Sequence, residues 1–212
     1  MKYYGQFDPQ VDQVLHERYF PNTFNGVSIE CGAFDGQTEN CTKFFEENYN
    51  WKTINIEPLP HIYKMLEQNR PNSVNLEIAL SNECKETSIT VYDIHEHGIY
   101  NTNASLHHLP NHKQALENIS RDSFKTFQVK CKTYKGVIEE LNITKLDLFI
   151  LDVEGHEFEV LDGMVECSVL PDVFVIEHGH RTSEDIYEKL KSLNLPYKLD
   201  HISFVNSFFV KI

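Results

Sequence analysis

The amino-acid sequence predicts an α/β fold in which a mostly parallel, twisted sheet carries helices on both faces and ends in a C-terminal antiparallel hairpin. Short apolar runs alternate with segments of helical periodicity along most of the chain. This alternation is typical of parallel strands joined by crossover helices. Several apolar runs also end in an acidic or a small residue, and ligands of open parallel sheets bind at the carboxyl ends of the strands.

Length and charge narrow the possible classes of protein. The chain has 212 residues, and we expect residues 1–212 to form one domain, because this length suffices for a complete α/β core. Its formal net charge of -13, without a cluster of Lys and Arg, argues against a nucleic-acid partner. Without an apolar run of membrane-spanning length or a signal peptide, and with five scattered cysteines, we expect a cytoplasmic protein and no membrane partner.

The first half of the chain begins with a polar and aromatic lead-in, residues 1–25, that contains one helical stretch, residues 11–20. Pro21 ends its helical pattern. We expect this helix to pack against the side of the domain, in preference to covering a pocket as a lid. Thr38 is expected to cap the next helix. The predicted order after the lead-in is strand 26–30, helix 38–48, strand 52–57, helix 60–69 and strand 74–80.

The second half interrupts this order. Residues 88–92 have the composition of an additional edge strand, whereas residues 93–125 are rich in His, Asn and Ser and are expected to form an irregular insertion. Loops of that length in compact domains are typically either mobile or functional. Ser183 is expected to cap the last helix. The remaining predicted elements are strands 127–132, 146–151, 173–176, 197–200 and 203–210, and helices 136–141, 156–164 and 183–193.

Residues 27–36 are expected to organise a binding site, because a buried strand runs there into an acid, a glycine turn and a helix start. Such a turn directs backbone N–H groups and a positive helix end at a ligand. The spacing E-x-G-x-x-x-G departs from the G-x-G-x-x-G of dinucleotide sites, and Asp35 would repel a pyrophosphate. A cationic cofactor without phosphates, such as S-adenosylmethionine, suits this turn. Glu30 is then expected to bind its ammonium group, and Glu57 its ribose hydroxyls.

Two further stretches are expected to carry chemistry. Residues 151–157 read Leu-Asp-Val-Glu-Gly-His-Glu and place four titratable side chains directly after a buried strand. Such clusters are where shifted pKa values arise. Residues 176–181 follow the neighbouring strand and add Glu177 and His178. Both stretches should meet the glycine turn at the carboxyl edge of the sheet.

At this point the sequence resembles the FkbM-type methyltransferases, in residues 27–36, 56–58, 79–81 and 151–157. The resemblance implies a Rossmann-like class I methyltransferase fold and S-adenosylmethionine-dependent O-methylation, often of sugar or natural-product hydroxyls. Glu30 departs from the aspartate usual in the family. The resemblance and the glycine turn together assign cofactor binding to Glu30, Gly32, Ala33, Asp35, Gly36, Thr38, Glu57, Pro58, Ala79, Leu80, Ser81 and Asp152.

Methylation of a hydroxyl requires removal of its proton, and the sequence offers two mechanisms for this step. Asp152, His156 or His178 is a candidate general base, and a histidine is best matched to neutral pH. Alternatively Asp152, Glu177 and His178 hold a magnesium or manganese ion that lowers the pKa of the acceptor hydroxyl. The histidines of residues 93–125 are expected to be solvated loop residues that line the acceptor entrance, in preference to metal ligands. They are His95, His97, His107, His108 and His112.

The predicted partner is a small-molecule or glycan acceptor, selected by residues 93–125, and a homodimer is left open. Three other functions compete with this one. A nicotinamide-dependent oxidoreductase would need the missing G-x-G-x-x-G motif. A non-catalytic binding module would not need the acidic cluster of residues 152–157. A nucleic-acid methyltransferase is disfavoured by the acidic charge of the chain.

Overall fold

The computed structural model describes residues 1–96, 99–100, 103–121 and 123–212. Its helices and strands follow one another largely as the hydrophobic pattern predicts. In chain order they are α1 (Val11–Arg18), β1 (Val27–Cys31), α2 (Lys43–Tyr49), β2 (Lys52–Ile56), α3 (Pro60–Asn69), β3 (Val74–Leu76), β4 (Ala79–Leu80), β5 (Lys85–Tyr92), β6 (His95–Glu96), β7 (Ile99–Tyr100), α4 (Pro110–Ser120), β8 (Phe124–Lys132), α5 (Tyr134–Glu140), β9 (Leu148–Leu151), α6 (Glu157–Asp162), β10 (Val173–Glu177), α7 (Ser183–Ser192), β11 (Tyr197–Ser203) and β12 (Asn206–Lys211).

A seven-stranded sheet forms the centre of the molecule, in the order β11-β12-β10-β9-β1-β2-β3. The pairs from β10 to β3 are parallel, while β12 is antiparallel to both β10 and β11. The predicted mostly parallel sheet with a C-terminal hairpin is therefore confirmed. The register pairs Cys31 with Ile56 and Leu151, and Leu151 with Ile176, so these four strands end at one level.

Apolar residues cover both faces of this sheet, as a strand period of two requires for strands buried on both sides. Phe149 and Leu151 face a core shared with α5, α6 and α7. Leu148 and Ile150, which alternate with them, face a second core shared with α1 and α2. The predicted helices on both faces are thus present, and α1 packs as expected. None of the described helices is both long enough and apolar enough to cross a membrane.

A second, three-stranded sheet, β4-β8-β5, corrects two of the predictions. The single strand predicted over residues 74–80 is divided: β3 pairs with β2, while β4 leaves the central sheet and pairs with β8. The additional edge strand predicted over residues 88–92 is β5, which begins at Lys85, pairs with β8 along its whole length and forms an edge of this second sheet, not of the central one. Ile89 and Val129 are buried on its inner side against Leu59 and Ile62, so the second sheet has its own small core. We call β4-β8-β5 the side sheet.

Residues 93–125 are not irregular throughout, which corrects a further prediction. Within them β6 pairs with β7, and α4 spans eleven residues from Pro110, a residue favoured at a helix start. Of the α4 residues only Leu116 and Ser120 are buried, so the sequence lacks the apolar stripe by which helices are recognised.

The start of α2 and the capping residue of α7 also differ from the prediction. Helix α2 begins at Lys43 instead of Thr38, because Asn40 Oδ1 accepts the amide of Lys43 at 2.8 Å. Helix α7 is capped by Thr182 instead of Ser183: the Thr182 hydroxyl accepts the amide of Asp185, whose carboxylate accepts the amide of Thr182. This reciprocal pair is a capping box.

Candidate functional site

A cavity of about 350 Å³ opens at the carboxyl edge of the central sheet. Gly32, Glu57, Asp152 and Glu177 line it, one from the end of each of the strands β1, β2, β9 and β10. It is also lined by residues 103–106 and by Ala79, Leu80 and Ile89 of the side sheet. The flush strand ends described above explain why the four strand-end residues meet, and this is the position at which parallel sheets bind ligands.

Gly32 allows the ends of β1 and β9 to approach each other. Its φ is +90°, and a Cβ built there would lie 1.9 Å from the carbonyl oxygen of Asp152. No side chain fits at that distance, since real Cβ atoms do not come within 3.0 Å of another heavy atom. Gly32 is therefore required for the close approach of β1 to β9 at the edge of the cavity.

Glu57 lies in the cavity wall with a strongly perturbed carboxyl group. Only 5% of the residue is exposed, and Oε1 accepts the amide of Leu59 at 2.8 Å. Burial raises the pKa of Glu57 to about 7, an effect that backbone hydrogen bonds from Leu59 and Phe34 oppose. The group is therefore poised between its neutral and ionised forms near neutral pH.

Glu30 does not line the cavity, which corrects its predicted contact with the ammonium group of the cofactor. Its carboxylate is buried and accepts the amides of Cys41 and Thr42, at 2.7 and 3.1 Å, and the Thr42 hydroxyl. Burial raises the pKa of Glu30, while the Thr42 hydrogen bond opposes this shift. The structure therefore gives Glu30 a role in holding the start of α2.

The turn after β1 is closed by Asp35, whose carboxylate accepts the amides of Gln37 and Thr38 and the Thr38 hydroxyl. Thr38 lines the cavity, as do three further residues of the predicted cofactor site, Pro58, Ala79 and Leu80. Four other predicted residues lie outside the cavity lining and shape the loops behind it. These four are Ala33, Asp35, Gly36 and Ser81.

The cavity is acidic. Five of its lining residues are carboxylic acids, and among the described residues that line it none is a lysine or an arginine. Burial, and then the charge of Glu177, raises the pKa of Asp152 well above its ordinary range. Burial, and then the charges of Glu154 and Glu157, raises the pKa of Glu177 to about 8. Since these carboxylates destabilise one another's charge, a cationic ligand would be stabilised among them.

His156 lines the cavity but His178 does not. The Nε2 atom of His156 lies 3.0 Å from Ser81 Oγ, and burial lowers the pKa of its imidazole. His178 turns to the other side of β10, where Nδ1 lies 2.8 Å from Ser207 Oγ. Glu177, the last residue of β10, lines the cavity, whereas the next side chain, His178, turns away from it. This corrects the assignment of His178 as a base or as a metal ligand.

The structure brings together three other side chains whose association the sequence did not indicate: His112, Glu154 and His180. His180 Nε2 lies 2.8 Å from Glu154 Oε2, and the rings of His112 and His180 stack with centroids 3.5 Å apart. All three line the cavity. Each of the three lies in a stretch that the sequence singled out: His112 among the histidines expected to line the acceptor entrance, Glu154 in residues 151–157 and His180 in residues 176–181. Only their association was not predicted.

The remaining histidines of residues 93–125 differ in position. His108 is buried, and its Nε2 lies 2.7 Å from the carbonyl oxygen of Asn103, which corrects the expectation of a solvated side chain. His107 is exposed, as expected. His97 lies outside the described residues, and His95 is described only by its backbone, in β6.

The N-terminal segment reaches the same cavity. Gln6 and Phe7 line it, and the ring of Phe7 stacks on Phe204 with centroids 4.5 Å apart. The lead-in therefore packs against the side of the domain through α1 and also contributes to the cavity wall through the residues before it.

Comparisons with known proteins show which family and which fold this chain is similar to. The family model described as "Methyltransferase FkbM domain" matches residues 30–202. The crystal structure of an FkbM methyltransferase from Methylobacillus flagellatus superposes with a TM-score of 0.52 at 12% identity, covering 94% of this chain and 50% of the other. The METTL16 MTase domain superposes with a TM-score of 0.50 at 7% identity, covering 96% of this chain and 66% of the other. No curated protein sequence matches.

These similarities establish the fold as that of the class I methyltransferases, which confirms the predicted fold class. The chain spans half the length of the Methylobacillus flagellatus structure. The glycine turn and the acidic strand ends thus occur in a class I methyltransferase fold, as the sequence predicts.

Proposed function

Since this chain belongs to the methyltransferase FkbM domain family, we propose that it methylates a hydroxyl group of a sugar, a glycan or a related small molecule, with S-adenosylmethionine as the methyl donor. The observation that carries this proposal is the acidic cavity at the carboxyl edge of the sheet. S-adenosylmethionine carries a sulfonium and an ammonium group and no phosphate. A cavity lined by carboxylates suits that charge and disfavours a pyrophosphate-containing dinucleotide.

Residues of the cavity wall can hold each part of such a donor. We infer that Glu57, which lines the cavity at the end of β2, accepts hydrogen bonds from the two ribose hydroxyls, as acids at that position of nucleotide-binding sheets do. Pro58, Ala79 and Leu80 supply apolar surface beside it. Asp152 and Glu177, at the ends of β9 and β10, have raised pKa values, and the positive charge of the donor would favour their ionised forms beside it.

Methyl transfer is an in-line displacement that depends on alignment and on removal of a proton. The bound donor supplies a methyl carbon whose bond to sulfur breaks as the acceptor oxygen attacks. Asp152 is the first candidate for the group that takes the hydroxyl proton, because burial and neighbouring charge raise its pKa and make its ionised form more basic. His156 is the second candidate, since its imidazole lines the cavity and burial keeps it neutral.

Calorimetry tests donor binding. We expect S-adenosylhomocysteine to bind and NAD not to bind. Glu57→Gln should weaken binding of S-adenosylhomocysteine, while Glu166→Gln, at an exposed position outside the cavity, should leave it unchanged. Binding of NAD in place of S-adenosylhomocysteine would favour an oxidoreductase and contradict the proposal.

Acceptor chemistry is tested by methyl transfer from radiolabelled donor to a panel of sugars and to matched amines. We expect label on hydroxyl acceptors only. A general base contributes roughly 10²–10⁴-fold to a rate, so Asp152→Asn should lower kcat by that order. If Asp152→Asn turns over as the wild type does and His156→Ala loses turnover, His156 and not Asp152 is the general base. Binding of S-adenosylhomocysteine without turnover on any acceptor would favour the non-catalytic binding module.

A further inference from the structure

The wall of the cavity contains a side-chain cluster for which the proposed function has no use: His112, Glu154 and His180. We propose that these three residues bind one divalent first-row metal ion. Among the residues that the structure describes, they are the group of potential ligands whose donor atoms all lie within 4.8 Å of one another.

The donor set is of a kind that proteins use for metals. Two imidazoles and one carboxylate hold zinc in catalytic sites and iron in non-haem sites, and in both cases further coordination positions stay open. Such metals bind nitrogen and oxygen at about 2.0–2.2 Å, which places the ligands of one ion roughly 3–3.5 Å apart. Glu154 and His180 already lie 2.8 Å apart, and the donor atoms of all three residues lie within 4.8 Å of one another, so rotation of side chains without movement of the backbone can bring them to one ion.

The three ligands come from separate elements that the fold brings to one point. His112 lies in the first turn of α4, Glu154 follows β9, and His180 follows β10. Glu154 adopts a φ of +56°, in the left-handed region that costs a non-glycine residue of order 1 kcal/mol or more. Such strain is found at functional sites, and here it lies at the residue that contributes the carboxylate.

An unsatisfied atom also belongs to the cluster. His112 Nδ1 is buried and has no hydrogen-bond partner in the structure. A buried nitrogen without a partner carries a desolvation cost that a metal ion or an ordered water would remove. The rings of His112 and His180 stack with their planes 15° apart, so one ring must turn before both imidazole lone pairs can point at one ion.

The cluster differs from the metal site that the sequence suggested. The site suggested by the sequence consisted of Asp152, Glu177 and His178 and was rich in oxygen ligands. The ligands proposed here come from two loops and a helix, and two of the three are nitrogen atoms. Imidazole ligands favour zinc, iron, cobalt or nickel over magnesium. If the proposed methyl transfer is correct, on which this role depends, the ion would lie where it could lower the pKa of an acceptor hydroxyl.

The test is direct metal binding by chelator-treated protein without a polyhistidine tag. We expect one Zn²⁺ per chain by calorimetry, and Co²⁺ should give visible absorption bands of a coordinated ion. His112→Ala, His180→Ala and Glu154→Gln should each weaken binding on the order of 100-fold or more, since even changes around the ligands of metal sites cost 10–100-fold. His107→Ala, an exposed histidine of the same segment, is the matched control and should bind as the wild type does.

Glu154→Gln keeps the size of the side chain and still allows it to form hydrogen bonds. If this variant has the circular dichroism spectrum of the wild type but does not bind the metal, the loss shows that the Glu154 carboxylate is a ligand. Absence of saturable binding by the wild type, or equal affinities of wild type and His112→Ala, would overturn the inference. Binding of S-adenosylhomocysteine is measured on the same samples. Donor binding without metal binding refutes only the metal site, and metal binding without donor binding refutes only the proposed function.

Discussion

The shifted pKa of Glu57 predicts that cofactor affinity depends on pH. Ribose hydroxyls donate hydrogen bonds, so the ligand binds the ionised carboxylate, and a protonated Glu57 must first lose its proton. With a pKa of about 7, the ionised fraction falls from about nine-tenths at about pH 8 to about one-tenth at about pH 6. The affinity for S-adenosylhomocysteine should therefore fall about tenfold over that range through Glu57 alone.

Other groups of the cavity titrate in the same range, Glu177 with a pKa of about 8 among them. The measurement that isolates Glu57 is the ratio of the affinities of wild type and Glu57→Gln, determined by calorimetry at each pH. This ratio should be largest at about pH 8 and should shrink about tenfold by about pH 6. A ratio that is constant over the range would refute the assignment of the ribose contact to an ionised Glu57.

Three predictions concern the framework of the site. Arg70 is buried and ion-paired with Glu46, so Arg70→Met should lower the free energy of unfolding by roughly 3–5 kcal/mol in urea titrations, because Glu46 loses its partner. Gly32→Ala should fail to give a stable fold by circular dichroism, since its Cβ would overlap the carbonyl oxygen of Asp152. Thr182→Ala should lower the free energy of unfolding by roughly 0.5–2 kcal/mol, because α7 loses its capping box. The loss should appear as a lower urea midpoint.

Each of these has an outcome that contradicts it. If Arg70→Met and Glu46→Gln cost no more than a surface substitution, the buried ion pair does not hold α3 to α2. A Gly32→Ala variant with wild-type stability would show that β1 and β9 can separate at their ends. Thr182→Ser keeps the capping hydroxyl, so equal losses in Thr182→Ala and Thr182→Ser would exclude the cap as the cause.

The sequence was sufficient to predict the strands and the edge at which the site lies. Strands β9 and β10 are buried on both faces and read as short continuous apolar runs, while β1 and β2 show apolar residues alternating with polar ones. Glu57 and Asp152 follow directly after two of these strands, so the topology places both at the carboxyl edge without further information. For the first residue after a strand the sequence thus predicts a place in the cavity wall, whereas His178, one residue further beyond β10, does not line the cavity.

Residues inside a strand or brought together by separate elements could not be assigned in this way. Glu30 lies within β1, and its neighbours Ile29 and Cys31 face the core shared with α5–α7, so its side chain points to the opposite face and meets the start of α2. Which helix covers a given face of a strand depends on tertiary packing, and the local sequence pattern does not show it. His112 and His180 meet although they lie in α4 and after β10, a contact that no local pattern reports.

The position of β12 ties the two hydrophobic cores to each other. It is inserted between β10 and β11, and its neighbouring residues Phe208 and Phe209 are fully buried in opposite cores. Displacement of this one strand would open both layers at once and leave two unpaired edges, so neither layer can melt alone through this end of the sheet. The molecule is therefore expected to lose both layers in a single cooperative transition.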